Sequence, residues 1–596
     1  FSAAYTVGDF IYGKNGTATK NADLRNTTAF ETKFLDNSLR IKGDFTFRNR
    51  DFNSTRVRVP VPYSVAEGKM LKLETSMNNN IYLVDQQWKY LFGNLYGEYE
   101  KTIGDHYFKG LLGYNYEQRV YESDYITKTG LLTEDVDNIN LALGQNTTAT
   151  AGYNKYRNVG VFMRANYIYK DRYLFEFNGR YDGSSKFPIN EQWAFFPSAS
   201  VGWRISEEPF FEVDKSAISD LKLRGSYGSL GNGNIDPYAF MDQYSISISN
   251  RVIGGVKNPY TGVPVVIPNN LTWETARTAN IGLDLSAINN KLTFTADFYQ
   301  RKTLNMYTVG MTLPDVFGAA SPKGNYADMT TQGFELSLGY RDSFEASGSP
   351  FNWSVKGTLA DYKSTIDRYN NETGNLSDYY IGQTLGEIWG YETQGLFQNQ
   401  AEIDAAATQS LIKSSNSGKI YPGDVRFADL DGNGVIDYGT NTLTDHGDKR
   451  IIGNKEPRYI YSFNLNLDWK NVYISSFFQG VGKQQWYPGN ESIFWGQYNR
   501  PYNNLPSWHV DNYWTEDNPN GYFPRYAGYN ESIKVNPQTR FLQEISYIRM
   551  KNLQIGYNFP SSITSKLKVQ SLRIGLSGEN LFTWSPFYKR TKDLDV

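Results

Sequence analysis

The residues best suited to chemistry are the carboxylates of Asp429-Leu430-Asp431-Gly432-Asn433-Gly434-Val435-Ile436-Asp437. Oxygen donors at Asp429, Asp431, Asn433 and Asp437, with a turn glycine at Gly434, match the front half of a calcium-binding loop. Val435 would add its backbone carbonyl. Such loops end on a bidentate Glu, and Thr440 stands there instead, so a further oxygen must come from elsewhere; Asp448 is the candidate. The same Asp/Asn/Gly run also makes a turn closed by its own side-chain-to-backbone hydrogen bonds. Both readings stand on the sequence: a structural calcium ion, or a self-capped turn.

Little else points to reactivity. His106, His446 and His509 fall in separate segments without metal-ligand spacing. No G-x-S-x-G elbow and no phosphate-binding loop occurs. Gly228-Ser229-Leu230-Gly231-Asn232-Gly233 follows an alternating strand and precedes no helix, so it reads as a turn. Glu207-Glu208 reads as a rim charge. No catalytic residue and no cofactor is assigned. Gln485-Trp486-Tyr487, Phe494-Trp495, Trp508-His509 and Tyr513-Trp514 concentrate aromatics in one stretch. Their faces suit sugar rings, or equally a self-packed loop or a protein-contact surface.

The elements that must carry these residues are strands. From Arg172 onward, Tyr173, Phe175, Phe177 and Tyr181 alternate with Arg172, Glu176, Asn178 and Arg180, one greasy face and one charged. Asp182-Gly183-Ser184-Ser185 supplies turn chemistry, and alternation resumes with Ala199, Val201, Trp203 and Ile205 on one side. Roughly 16 to 18 such segments recur, many near the length of about ten residues that crosses a bilayer at a tilt. Leu39 to Phe47, a hairpin around Gly104-Asp105-His106, Leu221 to Tyr227, and the Leu292/Phe294/Ala296/Phe298 face are examples. Two architectures fit the alternation: a soluble sandwich with the apolar face as core, or an all-β, large antiparallel transmembrane β-barrel with that face toward lipid. Repetition and strand length favour the barrel.

Composition agrees. The chain has 596 residues, 46 Tyr, 35 Phe and 12 Trp, with no Cys and a net charge of −2. Tyr and Trp suit a membrane interface, apolar in body and polar at the tip. Mean hydropathy is −0.55, and no apolar run reaches the roughly 18 residues of a spanning helix. The charge balance offers no basic face for nucleic acid. No linker divides residues 1–596. Long connections are expected at Tyr121 to Lys155, Gly231 to Thr272, Gln398 to Lys455 and Gln484 to Gln543, and the third, 398–455, should hold a short helix from Ala401 to Leu411. The fourth, 484–543, is the aromatic-rich one.

An ordered set of motifs carries a resemblance. It runs through Arg180-Tyr181-Asp182-Gly183-Ser184-Ser185-Lys186-Phe187, Phe195-Phe196-Pro197-Ser198, and Gly202-Trp203-Arg204-Ile205-Ser206-Glu207-Glu208. Leu221-Lys222-Leu223-Arg224, Trp273-Glu274, Asn280-Ile281-Gly282-Leu283-Asp284 and Gly333-Phe334-Glu335-Leu336 follow. Later come Pro422-Gly423-Asp424, Asp448-Lys449-Arg450-Ile451-Ile452-Gly453-Asn454, Phe477-Phe478-Gln479-Gly480, Tyr547-Ile548-Arg549-Met550-Lys551-Asn552-Leu553 and Asn580-Leu581-Phe582-Thr583. Across nearly the whole chain, the sequence resembles the SusC-like TonB-dependent outer-membrane transporters of Bacteroidetes.

That resemblance implies a 22-stranded barrel in the outer-membrane lipid and energised import of large nutrients, most often oligosaccharides and in some members peptides. It implies a SusD-like surface lipoprotein as lid, coupling to TonB-ExbB-ExbD through an N-terminal plug, and a dimer of SusC–SusD pairs. The family's TonB box and plug have no counterpart here, so this chain is expected to start inside the barrel. It is expected to stop at Asp593-Leu594-Asp595-Val596, before a closing strand. Alternatives are a surface glycan-binding all-β protein and a siderophore importer.

Overall fold

A computed structural model describes residues 15–60, 62–72, 79–132, 138–144, 147–241, 243–262, 266–268, 271–310, 316, 321–409, 419–489, 491–495, 507–526 and 536–589. Its main element is one 16-stranded antiparallel sheet whose neighbours follow chain order. The strands are Gly16–Phe34, Leu39–Arg58, Asn80–Ile103, His106–Thr129, Thr147–Tyr169, Tyr173–Ser184, Trp193–Arg204 and Ile218–Asn232. Glu274–Ala287, Leu292–Val309, Lys323–Ala346, Ser349–Arg368, Arg458–Trp469, Val472–Lys483, Tyr547–Asn558 and Arg573–Trp584 complete it. Each interior strand pairs with the strand before and after it, and Gly16–Phe34 and Arg573–Trp584 at the two ends pair with one neighbour, so backbone N–H and C=O groups are satisfied laterally along the ladder. In hydrocarbon, where water cannot serve them, only a helix or a closed ladder of strands meets that demand.

Several connections along one edge of the sheet are tight turns. Ser347 and Gly348 (φ 50° and 75°) and Lys470 and Asn471 (φ 47° and 70°) are two-residue connections in the left-handed region. Paired positive φ values twist a hairpin in the same sense as its strands. The other edge carries the long connections.

The chain forms two compact units: Phe1–Lys170 with Phe175–Ala199 and Leu230–Trp273, and Asp171–Leu174 with Ser200–Ser229 and Glu274–Val596. In the first, Phe45, Leu95, Leu112, Val161, Phe175 and Phe177 on successive strands are exposed, Leu112 to 64%. On the opposite face Lys42 Nζ and Arg40 Nε lie 3.1 and 3.6 Å from Glu98. In the second, Leu223, Ile281, Phe298, Leu338, Phe463 and Ile555 are likewise exposed. Behind them, Arg224 grips Asp297 through two bonds of 2.6 Å and Asp284 through Nε at 3.1 Å. An apolar band this large, outside and uncovered, is the mark of a lipid-facing surface, since soluble monomers rarely expose contiguous apolar patches above a few hundred Å². Among the described residues the aromatic rows are not packed against a second sheet, which argues against the sandwich reading.

Buried apolar clusters sit at strand ends and in connections instead. Val57, Val59, Ile81 and Ala142 form one, and Ala327, Ile366 and Tyr369 another.

Several boundaries differ from expectation. Asp182, Gly183 and Ser184 are strand, not turn, and the Asp182 carboxylate accepts from Arg180 at 2.7 Å. Gly228 to Asn232 continue a strand rather than turning. Tyr121 to Thr129 and Thr147 to Lys155 are paired with each other, so that connection shrinks to 130–146. The physical reason is common to all three. A partner strand keeps satisfying the backbone well past the roughly ten residues a bilayer requires, whatever the side chains are. The helix in 398–455 is Gln400–Ala405, begun by Asn399, whose side chain accepts from the Glu402 amide at 3.0 Å. Ala406 leaves it, and Ser410 and Leu411 lie outside the described residues.

Outward Phe175→Arg and Phe298→Arg should each impede assembly, since a cation at the bilayer midplane costs about 2–4 kcal/mol. Inward Thr295→Arg is the control. Heat-modifiable gel mobility of membrane fractions reads the outcome, and equal assembly of all three would reverse the faces.

Candidate functional site in the long connections

In the second unit, connections 369–457 and 484–546 interlock into one packed body. Short paired segments frame it: Glu387–Tyr391 with Lys449–Asn454, Thr393–Leu396 with Val425–Phe427, and Gln485–Trp486 with Gln543–Glu544. Its core holds Tyr391, Leu396, Val425, Phe427, Ile436, Phe494, Trp495, Trp514, Phe523 and Phe541.

Backbone and side-chain hydrogen bonds join the two connections to each other and brace each of them internally. The Tyr391 amide donates to Pro537 O at 2.9 Å and the Thr539 amide to Tyr391 O at 3.1 Å. Gln538, wholly buried, accepts from the Thr393 hydroxyl at 3.1 Å. Gln409 substitutes for a strand: its Nε2 donates to Val425 O at 2.9 Å and its Oε1 accepts from the Phe427 amide at 2.8 Å. Arg540 donates to the carbonyls of Tyr522 and Gly521, both at 2.9 Å. None of these glutamines stands out in the sequence, where an isolated Gln reads as surface.

Pro422-Gly423-Asp424 makes a tightly packed turn in this body. Gly423 has φ +87°, and a Cβ there would strike Trp514. The next residue, Asp424, is buried and accepts from Arg525 Nε at 2.7 Å and the Tyr421 amide at 2.9 Å. Burial raises its carboxyl above the usual carboxylate range, against the opposing pull of that amide and Arg525. Tyr380, donating to Glu387 at 2.6 Å, has its phenol pushed up to about 12, first by burial and then by that carboxylate.

The aromatic run divides by exposure. Phe494, Trp495 and Trp514 are 0%, 2% and 7% exposed and belong to the core, so no sugar ring can stack on them. Trp486 meets Phe494 and Phe587 edge-on, and Tyr487 donates to Asn536 O at 2.8 Å. His509 is buried, its ring 3.8 Å from that of Phe523, with Nε2 donating to Phe494 O at 2.6 Å. Tyr513 and Tyr526 remain accessible, their rings 6.3 Å apart.

The acidic loop folds around Asp448. That residue is fully buried, and its two oxygens accept from the Leu430 and Asp437 amides at 2.6 and 2.9 Å. Asp429, Asp431 and Asp448 bring carboxylate oxygens within 4.8 Å of one another. Asp429 also accepts from Gly432 and Gly434, Asp431 from Asn433, and Asn433 from Val435. Asp437 stands apart from the trio, capping Gly439 at 2.7 Å. Three converging hard oxygens suit calcium better than a softer metal. Ile436 drives the loop into the core beneath.

The sheet, its lipid-facing band and the one-sided long connections define a strand-rich outer-membrane protein. The sequence of residues 2–581 matches the family described as TonB dependent receptor-like, beta-barrel, and the chain belongs to it. It is 28% identical over 606 aligned residues to TonB-dependent receptor P3 of Formosa agariphila, covering 98% of this chain and 56% of that protein. Against TonB-dependent receptor SusC of Bacteroides thetaiotaomicron it is 27% identical, covering 80% and 46%. The structure of the RagAB peptide transporter superposes with TM-score 0.76 at 19% identity, covering 96% and 59%. The chain thus spans about half the length of the curated relatives it matches, and the family is one of transporters and receptors rather than enzymes.

Removing Arg525 strands a buried carboxylate, so Arg525→Ala should loosen the loop body by about 3–5 kcal/mol, with Asp424→Asn in the same chain recovering part of it. Local hydrogen exchange measures both. Burial holds the His509 ring neutral and lowers its pKa. Loop stability is therefore complete above the free-histidine value of about 6.5 and declines as pH falls below it. Protection factors in 507–526, with the intrinsic pH dependence of amide exchange divided out, should fall from pH 7.5 to 5, and His509→Gln should flatten that trend.

Proposed function

We propose that this chain forms the wall and long connections of an importer for large nutrients, with oligosaccharides as cargo. A SusD-like lipoprotein covers the loop body as a lid, and TonB-ExbB-ExbD supplies energy through a plug carried elsewhere in the longer protein. The observation that carries this reading is the loop body itself. Two long connections converge into one buried core on a single edge of the sheet, where they offer a packed surface to a partner. The matches to SusC and to the RagAB fold support it. Because RagAB is a peptide transporter, peptides are the second reading.

Under this proposal, purification of the full-length protein from membranes in mild detergent yields a surface lipoprotein in the same particle, in pairs of complexes. Titration calorimetry then shows binding of oligosaccharides and not of peptides of equal length. A particle lacking any lipoprotein sinks the lid, and peptide binding alone reassigns the cargo.

We also propose that Asp429, Asp431 and Asp448 hold calcium, with Asn433 and the Val435 carbonyl as further oxygens and Asp437 acting only as a cap. Bound there, the ion would offset the mutual repulsion of three carboxylates. Calcium should slow hydrogen exchange across 425–454 in the wild type and not in Asp431→Ala. Equal exchange with and without calcium refutes the metal and leaves the self-capped turn.

A further inference from the structure

The polar face of the first unit carries charge in two different ways. Toward the tight-turn end of the strands, Arg40, Lys42 and Lys109 surround Glu98 and Glu100 at 2.8 to 4.0 Å, cations and carboxylates interleaved. Near mid-strand the balance fails. Arg25, Arg48, Arg50 and Arg119 line a cavity of about 440 Å³ together with Trp88, Tyr90, Glu117 and Tyr156.

Register explains the convergence. Arg25 lies directly opposite Arg48, Arg48 opposite Tyr90, and Tyr90 opposite Arg119, one row crossing four strands. Like charges directly opposite one another destabilise a sheet, so the row is not there for strand pairing. Asp23 is consumed by Arg48, which it accepts at 2.8 and 2.5 Å. Arg50 bonds Asn21 at 3.1 Å and lies 4.8 Å over the Trp88 ring, which fixes its plane. Glu117 accepts from Asn158 at 2.8 Å. Among the described residues, no carboxylate lies within ion-pair distance of Arg25, Arg50 or Arg119.

We propose that this row is an oxyanion subsite in the wall, taking a carboxylate or sulfate-ester group carried on the oligosaccharide cargo. The claim rests on the importer reading and adds to it a charge class for the solute. Guanidinium groups present paired N–H donors at the spacing of two oxyanion oxygens and bond them more strongly than neutral donors do. The cavity is wide enough for a substituted sugar, within the range of about 300–1,000 Å³ for small-molecule sites. Arg25 supplies donors from one side and Arg119, which also meets the Tyr156 hydroxyl, from the other, while Trp88 and Asp23 hold Arg50 and Arg48 in place.

The test uses the full-length protein in detergent, with heat-modifiable mobility confirming assembly of each variant. Probes are an oligogalacturonate, a sulfated galactan oligosaccharide, the neutral oligosaccharide of matched length, and an acidic peptide. We expect an acidic saccharide to bind at least about tenfold more tightly than the neutral one, and Arg25→Gln/Arg119→Gln to erase that preference, from charge-assisted bonds. Arg40→Gln, in the balanced cluster, is expected to leave it intact. The carboxylated and sulfated probes tell the two anion sources apart. Arginine-dependent binding of the acidic peptide alone would overturn the saccharide assignment while leaving the importer. Equal binding of acidic and neutral saccharides, no binding of any anionic probe, or a preference untouched by the double variant would overturn the subsite itself.

Discussion

Everything in this molecule depends on lateral backbone pairing. A strand in hydrocarbon cannot borrow hydrogen bonds from water, so each must find both partners within the sheet. Fourteen of the sixteen strands, following one another in chain order, meet that demand within the described sheet, and Gly16–Phe34 and Arg573–Trp584 at its ends have one neighbour each. Once pairing is fixed, the two-residue period of the strand assigns every side chain to lipid or to the polar interior. A slip of one residue in register would exchange the two faces, sending Arg224 into hydrocarbon and Phe298 into the ion-pair network.

That constraint inverts the usual distribution of apolar residues. Phe175, Ile281 and Leu338 are exposed, whereas Phe494, Phe541 and Ile436 are wholly or almost wholly buried. The sheet needs no core because lipid covers its greasy face. The connections face water and have to build a core of their own. They do so with aromatics packed edge to face and with buried glutamines and arginines that satisfy carbonyls no regular element reaches. Gly423 shows how tight the result is: its left-handed backbone and its contact with Trp514 leave room for no side chain.

Charge placement follows the same division of labour. Arg224 with Asp284 and Asp297, and Arg40 with Glu98 and Glu100, tie adjacent strands across the polar face. The arginine row at Arg25, Arg48 and Arg119 departs from that rule of compensation. Its excess of cations adds nothing to strand pairing, and under the proposed subsite an acidic solute would supply the missing negative charge.

The sequence alone determined the fold class, the two faces of the strands and the family, because alternation and turn chemistry are local and repeat many times. It also offered Asp448 as a candidate extra oxygen for the Asp429 to Asp437 loop, and the fold brings Asp448 together with Asp429 and Asp431 while leaving Asp437 outside that trio. Strand ends were less legible: Asp182-Gly183-Ser184 and Gly228 to Asn232 carry turn residues, and only a neighbouring strand decided that they extend. Tertiary structure alone settled that Trp495 and Trp514 are core rather than sugar platforms, since burial depends on what folds over a residue. It alone joined Gln538 to Thr393 and set Arg25 opposite Arg48 and in one row with Arg119. Those partners lie tens of residues or more apart, and register and packing, not composition, bring them together.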